Sequence, residues 1–112
     1  MPTEDRRIIF DNNEVYKALY ALRHQKQLKK PPAGRIDAVS FDPKDTSQVI
    51  VNLINPQEKT KRKLDYSRYF LAAALMLFCR GCSIPLPKGA QKSVMIEDEV
   101  VILQIKMASR NT

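Results

Sequence analysis

The stretch FCRGCSIPLP places Cys79 and Cys82 in a CxxC spacing. Two thiols so spaced can do redox chemistry when a helix N-terminus or a neighbouring cation lowers the pKa of the attacking sulfur. The run from Phe70 to Cys79 is almost unbroken apolar sequence, so both cysteines fall near the C-terminal end of a helix, where the dipole disfavours a thiolate. Arg80 offsets that effect only if its side chain turns toward a sulfur. The spacing therefore reads as a helix end, with Gly81 permitting termination and Pro85-Leu86-Pro87 holding an extended exit.

Metal chemistry is expected to be absent, because a structural zinc site needs four donors and the chain offers two cysteines and His24. Only a dimer axis would gather four thiols. His24 is a lone polar residue near the end of the first helix, without a catalytic partner. Asp37 interrupts a strand and can pair with Arg35, while Asp42, Asp45, Glu97, Asp98 and Glu99 fall in predicted turns, where carboxylates are ordinary. No nucleophile elbow, metalloprotease, P-loop or dinucleotide motif occurs. The residues point to a non-enzymatic protein with no catalytic residue, metal or cofactor.

The basic residues are more informative. Nineteen Lys and Arg against twelve Asp and Glu give a formal charge of +7. Between Glu14 and Asp37 every charged side chain is basic: Lys17, Arg23, Lys26, Lys29, Lys30 and Arg35. Lys59, Lys61, Arg62 and Lys63 form a second cluster before the second helix, and Lys88 and Lys92 flank the later connection. Long cationic side chains suit phosphates or acidic protein surfaces, and charge alone does not choose between them. Apart from Lys17, these residues are the candidate partner- or nucleic-acid-binding set.

The elements that position them follow from periodicity. Ile8 to Phe10 reads as a short strand, and Asp11 with Glu14 makes a capping box ahead of a helix bearing Val15, Ala18, Leu19 and Leu22 on one side. Tyr16 and Tyr20 widen that stripe. Pro31-Pro32 and Gly34 stop the helix. Arg35 to Phe41 and Gln48 to Ile54 then predict a hairpin around Asp42 to Ser47. After Asn55-Pro56 the segment QEKTKRK reads as a linker, and Asp65 or Ser67 caps a second helix containing Tyr69 to Phe78. Ser93 to Ile96 and Val100 to Met107 predict a second hairpin with Glu97-Asp98-Glu99 at its tip.

The order of helix, Pro- and Gly-bearing linker, strand, acidic turn and strand thus occurs twice, and Gly34 to Phe41 spans the same interval as Gly89 to Ile96. The expected fold is one α+β domain over 1–112, two quasi-repeated helix-strand-strand units with helices packed on an antiparallel sheet. A first strand would make it ferredoxin-like with an added strand. Residues 1–7 and 108–112 are expected to be flexible termini. A hydrophobic content of 44% fits a folded chain.

Apolar character around much of the second helix predicts burial across a large core or contact with a second subunit, which motivates a homodimer. Two cysteines and no signal-length apolar segment predict a reducing cytoplasm, and ten apolar residues are too few to span a membrane. The functional expectation is an adaptor or regulatory module binding an acidic protein partner. A nucleic-acid-binding regulator is the alternative, ahead of thiol redox or another enzyme.

Overall fold

In the computed structural model, which describes residues 3–108, eight elements follow one another: β1 (Thr3–Phe10), α1 (Asn12–Gln25), β2 (Arg35–Phe41), β3 (Gln48–Asn55), β4 (Thr60–Ser67), α2 (Arg68–Gly81), β5 (Gln91–Glu97) and β6 (Val100–Ala108). Of the segments expected to be flexible, residues 3–7 belong to β1 and Ala108 ends β6, while 1–2 and 109–112 lie outside the described residues. The strands form two antiparallel sheets of three, ordered β1-β6-β5 and β2-β3-β4. No described helix is long and apolar enough to cross a membrane.

Local chemistry starts and stops both helices. Asp11 accepts from the Glu14 amide at 2.7 Å, and Glu14 accepts from the Asp11 amide at 2.9 Å, closing the predicted capping box. Ser67, not Asp65, caps α2 by accepting from the Phe70 amide. At the far ends the amides of Leu28 and Ile84 reach back to Arg23 and Cys79, each at 2.8 Å, across left-handed residues Gln27 and Ser83. These are Schellman turns built without glycine. Gly81, expected to end α2, is its last helical residue.

The strand absent from the sequence reading is β4. TKRKLDYS looks like a solvated linker, yet it pairs with β3 from Gln48↔Ser67 to Asn55↔Thr60. As a sheet edge it needs only one apolar face, supplied by Leu64 and Tyr66, and its lysines protect the free edge from pairing. β1 is longer than Ile8 to Phe10 for the same reason: β6 holds it in register from Phe10↔Val101 back to Thr3↔Ala108.

With β4 in place the repeat is a β-α-β-β unit. Asn12 and Arg68 open the helices and Arg35 and Gln91 open the next strands, an offset of 56 residues both times. Pairing repeats residue by residue: Phe10, Ile8 and Arg6 lie against Val101, Leu103 and Ile105, as Tyr66, Leu64 and Arg62 lie against Val49, Val51 and Leu53. On the other side, Phe41, Val39 and Ile36 meet β3 as Ile96, Val94 and Lys92 meet β6. The chain is therefore an internal pseudo-dimer about an approximate twofold axis. Each unit donates its first strand to the other unit's sheet, which ties the two into one domain.

The helices form one layer over both sheets and pack on each other, α1 against β1, β2 and β6 and α2 against β4, β5 and β3. Arg23 in the last turn of α1 lies over Phe70 in the first turn of α2, and Phe78 near the end of α2 meets Phe10 just before α1, so the pair runs antiparallel. Val15, Ala18 and Leu19 are buried as are their equivalents Leu71, Ala74 and Leu75, with alanine at matching positions keeping the layer thin. The apolar circumference of α2 is largely used here: Leu77 and Phe78 pack on the core, as do Ile84 and Leu86 from the segment that follows.

Gly34 is fixed by geometry. Its φ is +149°, and a Cβ there would lie 2.6 Å from the Ile54 carbonyl oxygen, whereas one at Gly89 would meet open space. Gly34→Ala is expected to cost clearly more than Gly89→Ala, upward of about 2 kcal/mol against about 1 kcal/mol for left-handed strain alone. Urea unfolding of the two variants measures the difference.

Candidate anion-binding interface on the helix layer

Charge follows the layers. The helices and the connections leading from them to the next strand, residues 12–34 and 68–90, carry eight Lys and Arg against a single acid, Glu14, which is engaged in its capping box. The remaining eleven basic residues are matched by eleven acids. The whole formal charge of +7 thus resides in the helix layer and its linkers. On the sheet face, by contrast, Arg7 pairs with Glu97 at 3.5 Å and the Gln104 amide donates to both Asp5 oxygens.

Arg23 organises one end of this layer. Its guanidinium lies 5.9 Å from the Tyr66 ring centre and 6.0 Å from that of Phe70, over a stacked aromatic pair, and its Nε donates to the Lys29 carbonyl. Tyr16 donates to the Pro32 carbonyl at 3.0 Å, so the linker is tied down at two points. Lys30 extends over the Tyr20 ring. Arg23, Lys29, Lys30 and Arg62 surround a concavity of about 290 Å³ in which Asp65 is the one carboxylate. Burial raises the pKa of Tyr66 against the opposing pull of Arg23, and burial with Tyr20 nearby raises that of Tyr16, so both phenols stay neutral at physiological pH.

The other end repeats the plan with different residues. Arg80, Lys88 and Lys92 rim a larger groove of about 570 Å³ whose floor is Met76, Ile84, Leu86 and prolines 85 and 87. Arg6, equivalent to Arg62 in the strand register, donates to the Pro85 carbonyl at 3.4 Å.

The predicted site residues divide between two faces. Arg23, Lys26, Lys29, Lys30, Arg62, Lys88 and Lys92 belong to the helix side or its ends. Lys61 and Lys63 alternate with Arg62 along β4 and project from the opposite sheet face, where Ile54 lies between Arg35 and Lys61. Lys59 occupies the β3–β4 turn at a φ of 54°. The second cluster is thus not a linker patch, and only Arg62 joins the first. Arg6 and Arg80 were missed as site residues. The alternation of Ile8 and Phe10, carried back two residues, would have placed Arg6 on the helix side.

The groups that could do other chemistry are apart. Cys79 is buried and Cys82 exposed, both as free thiols. Burial, and then Cys82, push the Cys79 thiol up against the weaker pull of Arg6. Native protein is therefore expected to react with a thiol reagent at neutral pH rapidly at Cys82 alone, so Cys82→Ser removes the fast phase. Cys79 should respond only on unfolding, and a rapid second equivalent in the native state would show an accessible pair. Asp37 is exposed at the β2 bulge, its carbonyl accepting from Asn12. Among the described residues no three His, Cys, Asp or Glu side chains come together.

No protein family, curated protein or solved structure matches this chain.

Proposed function

We propose that this protein is a non-enzymatic binding module that docks on nucleic acid through the phosphate backbone, using its helix layer. The observation that carries this reading is the segregation of the entire net charge into that layer, with Arg62 brought from another element to Arg23, Lys29 and Lys30. Counterion release from the phosphates rewards such a surface whatever the base sequence. A protein interface of ordinary affinity is instead organised around a desolvated apolar centre. The exposed large apolar groups of the helix side, Tyr20, Leu28 and Tyr69, are outnumbered there by exposed Lys and Arg.

A second reading, the acidic protein partner, has one observation in its favour. The groove floored by Met76, Ile84 and Leu86 between Arg80, Lys88 and Lys92 has the right chemistry for an apolar side chain flanked by acids. In both readings the chain acts as one copy, since the internal pseudo-dyad supplies the twofold that a homodimer would otherwise provide and α2 is largely spent on the core.

Binding of labelled duplex DNA across a range of salt concentrations tests the proposal, with sedimentation under the same conditions. Seven exposed cations of the helix side, Lys17, Lys26, Lys29, Lys30, Arg62, Arg80 and Lys88, limit the slope of log K against log salt to about −6. Association with a clear negative slope within that limit, by a monomer, is the expected result. No association even at low salt overturns the nucleic-acid reading, and tight binding of an acidic polypeptide in its place would establish the second.

A further inference from the structure

We propose that the two ends of the helix layer are a matched pair of phosphate-contact sites, related by the internal pseudo-dyad, and that together they fit double-stranded rather than single-stranded nucleic acid. This inference rests on the nucleic-acid reading above and specifies its ligand.

The two sites are built alike. Each lies where a helix ends in a Schellman turn and a linker with two prolines leads to a glycine: Pro31, Pro32 and Gly34 in one, Pro85, Pro87 and Gly89 in the other. Each has a strand arginine at the equivalent register position, Arg62 or Arg6, and exposed cations from the helix end or linker, Lys29 and Lys30 or Arg80 and Lys88. Proline restricts the linker backbone, and side-chain contacts hold it further: Tyr16 to Pro32 in one case, Arg6 to Pro85 in the other. The cations are thus presented from ordered loops, which lowers the entropy lost on binding.

Because the helices are antiparallel, their C-terminal ends point to opposite ends of the layer. Each helix is fourteen residues long, about 20 Å at 1.5 Å per residue, so sites beyond opposite ends of the layer lie at least about that far apart. A separation of that order exceeds the roughly 12 Å width of a major groove, so the two sites would meet different backbones rather than neighbouring phosphates of one. A duplex also has its own local twofold axis relating its antiparallel strands, so a pseudo-symmetric protein can present equivalent contacts to both strands. A flexible single strand offers neither the fixed spacing nor the symmetry. Helix C-termini carry partial negative charge, so the attraction here must come from the side chains, and removing them should remove it.

The test uses the full chain with a 16-base-pair duplex and a single strand of the same length, comparing wild type with Lys29→Gln/Lys30→Gln, Arg80→Gln/Lys88→Gln and the quadruple variant. All four positions are exposed, and a circular-dichroism melt confirms that each variant is folded. Each double variant is expected to weaken duplex binding about tenfold and to reduce the salt slope by about 2, the quadruple variant to combine the losses, and the single strand to bind wild type more weakly than the duplex. Lys44→Gln, in the β2–β3 turn, should change nothing. Duplex binding that loses affinity at one end only, or a single strand bound as tightly as the duplex, overturns the paired-site inference and leaves nucleic-acid binding standing. Failure of wild type to bind either nucleic acid removes both.

Discussion

Separating the two units between Gln57 and Glu58 is expected to abolish folding of each piece alone, and mixing them is expected to restore it. Residues 1–57 would retain β2 and β3 but lose β4 and leave β1 without β6, while residues 58–112 would retain β5 and β6 but lose β1 and leave β4 without β3. A two-stranded sheet under one helix has too little core to persist in water. The cut falls in the β3–β4 turn, which carries no core side chain, so the loss would come from the exchange of first strands and not from local damage. Circular dichroism and thermal melts of the separate and mixed pieces read the outcome. A cooperative melt of either piece as a monomer would show that the units are independent, contrary to the intertwined topology.

Leu75→Ala is expected to lower the free energy of unfolding by about 2–5 kcal/mol, the range for a leucine deleted from a packed site. Leu75 is fully buried on α2, and Leu19, its equivalent on α1, is 1% exposed. Leu19→Ala should therefore cost a similar amount. A domain of this size has only about 5–15 kcal/mol to lose, so either variant would bring it toward its limit. Leu28→Ala is the control: Leu28 is 46% exposed and should cost about 0.5 kcal/mol or less. Urea titrations with unchanged m-values make the comparison. A large asymmetry between Leu19 and Leu75 would mean that the pseudo-symmetry of the backbone does not extend to the energetics of the core.

Much of this architecture was legible in the sequence because it is encoded locally. The capping box of Asp11 and Glu14, the stripe of Val15, Ala18, Leu19 and Leu22, and the hairpins around 42–47 and 98–99 all follow from periodicity and turn chemistry within short windows. Asp98 and Glu99 both take positive φ in the tight β5–β6 turn, which the short aspartate side chain tolerates better than most and glutamate does not. The buried end at Cys79 followed from the apolar run before it, and Cys82 proved to be the helix cap.

What could not be read locally depended on partners distant in the chain. Lys61, Arg62 and Lys63 favour solvent by composition, and only the ladder to β3 makes them strand; once they are strand, alternation sends Arg62 toward the helix layer and its neighbours away from it. Arg6 changed from tail to site residue when β6 extended β1. Spacing and composition were enough for the helices, the β2–β3 and β5–β6 hairpins, the duplicated order and an excess of positive charge. Tertiary structure alone decided that first strands are exchanged between units and that the excess charge gathers on one layer at two equivalent ends. Strand pairing joins residues far apart in the chain, and no short window contains both partners.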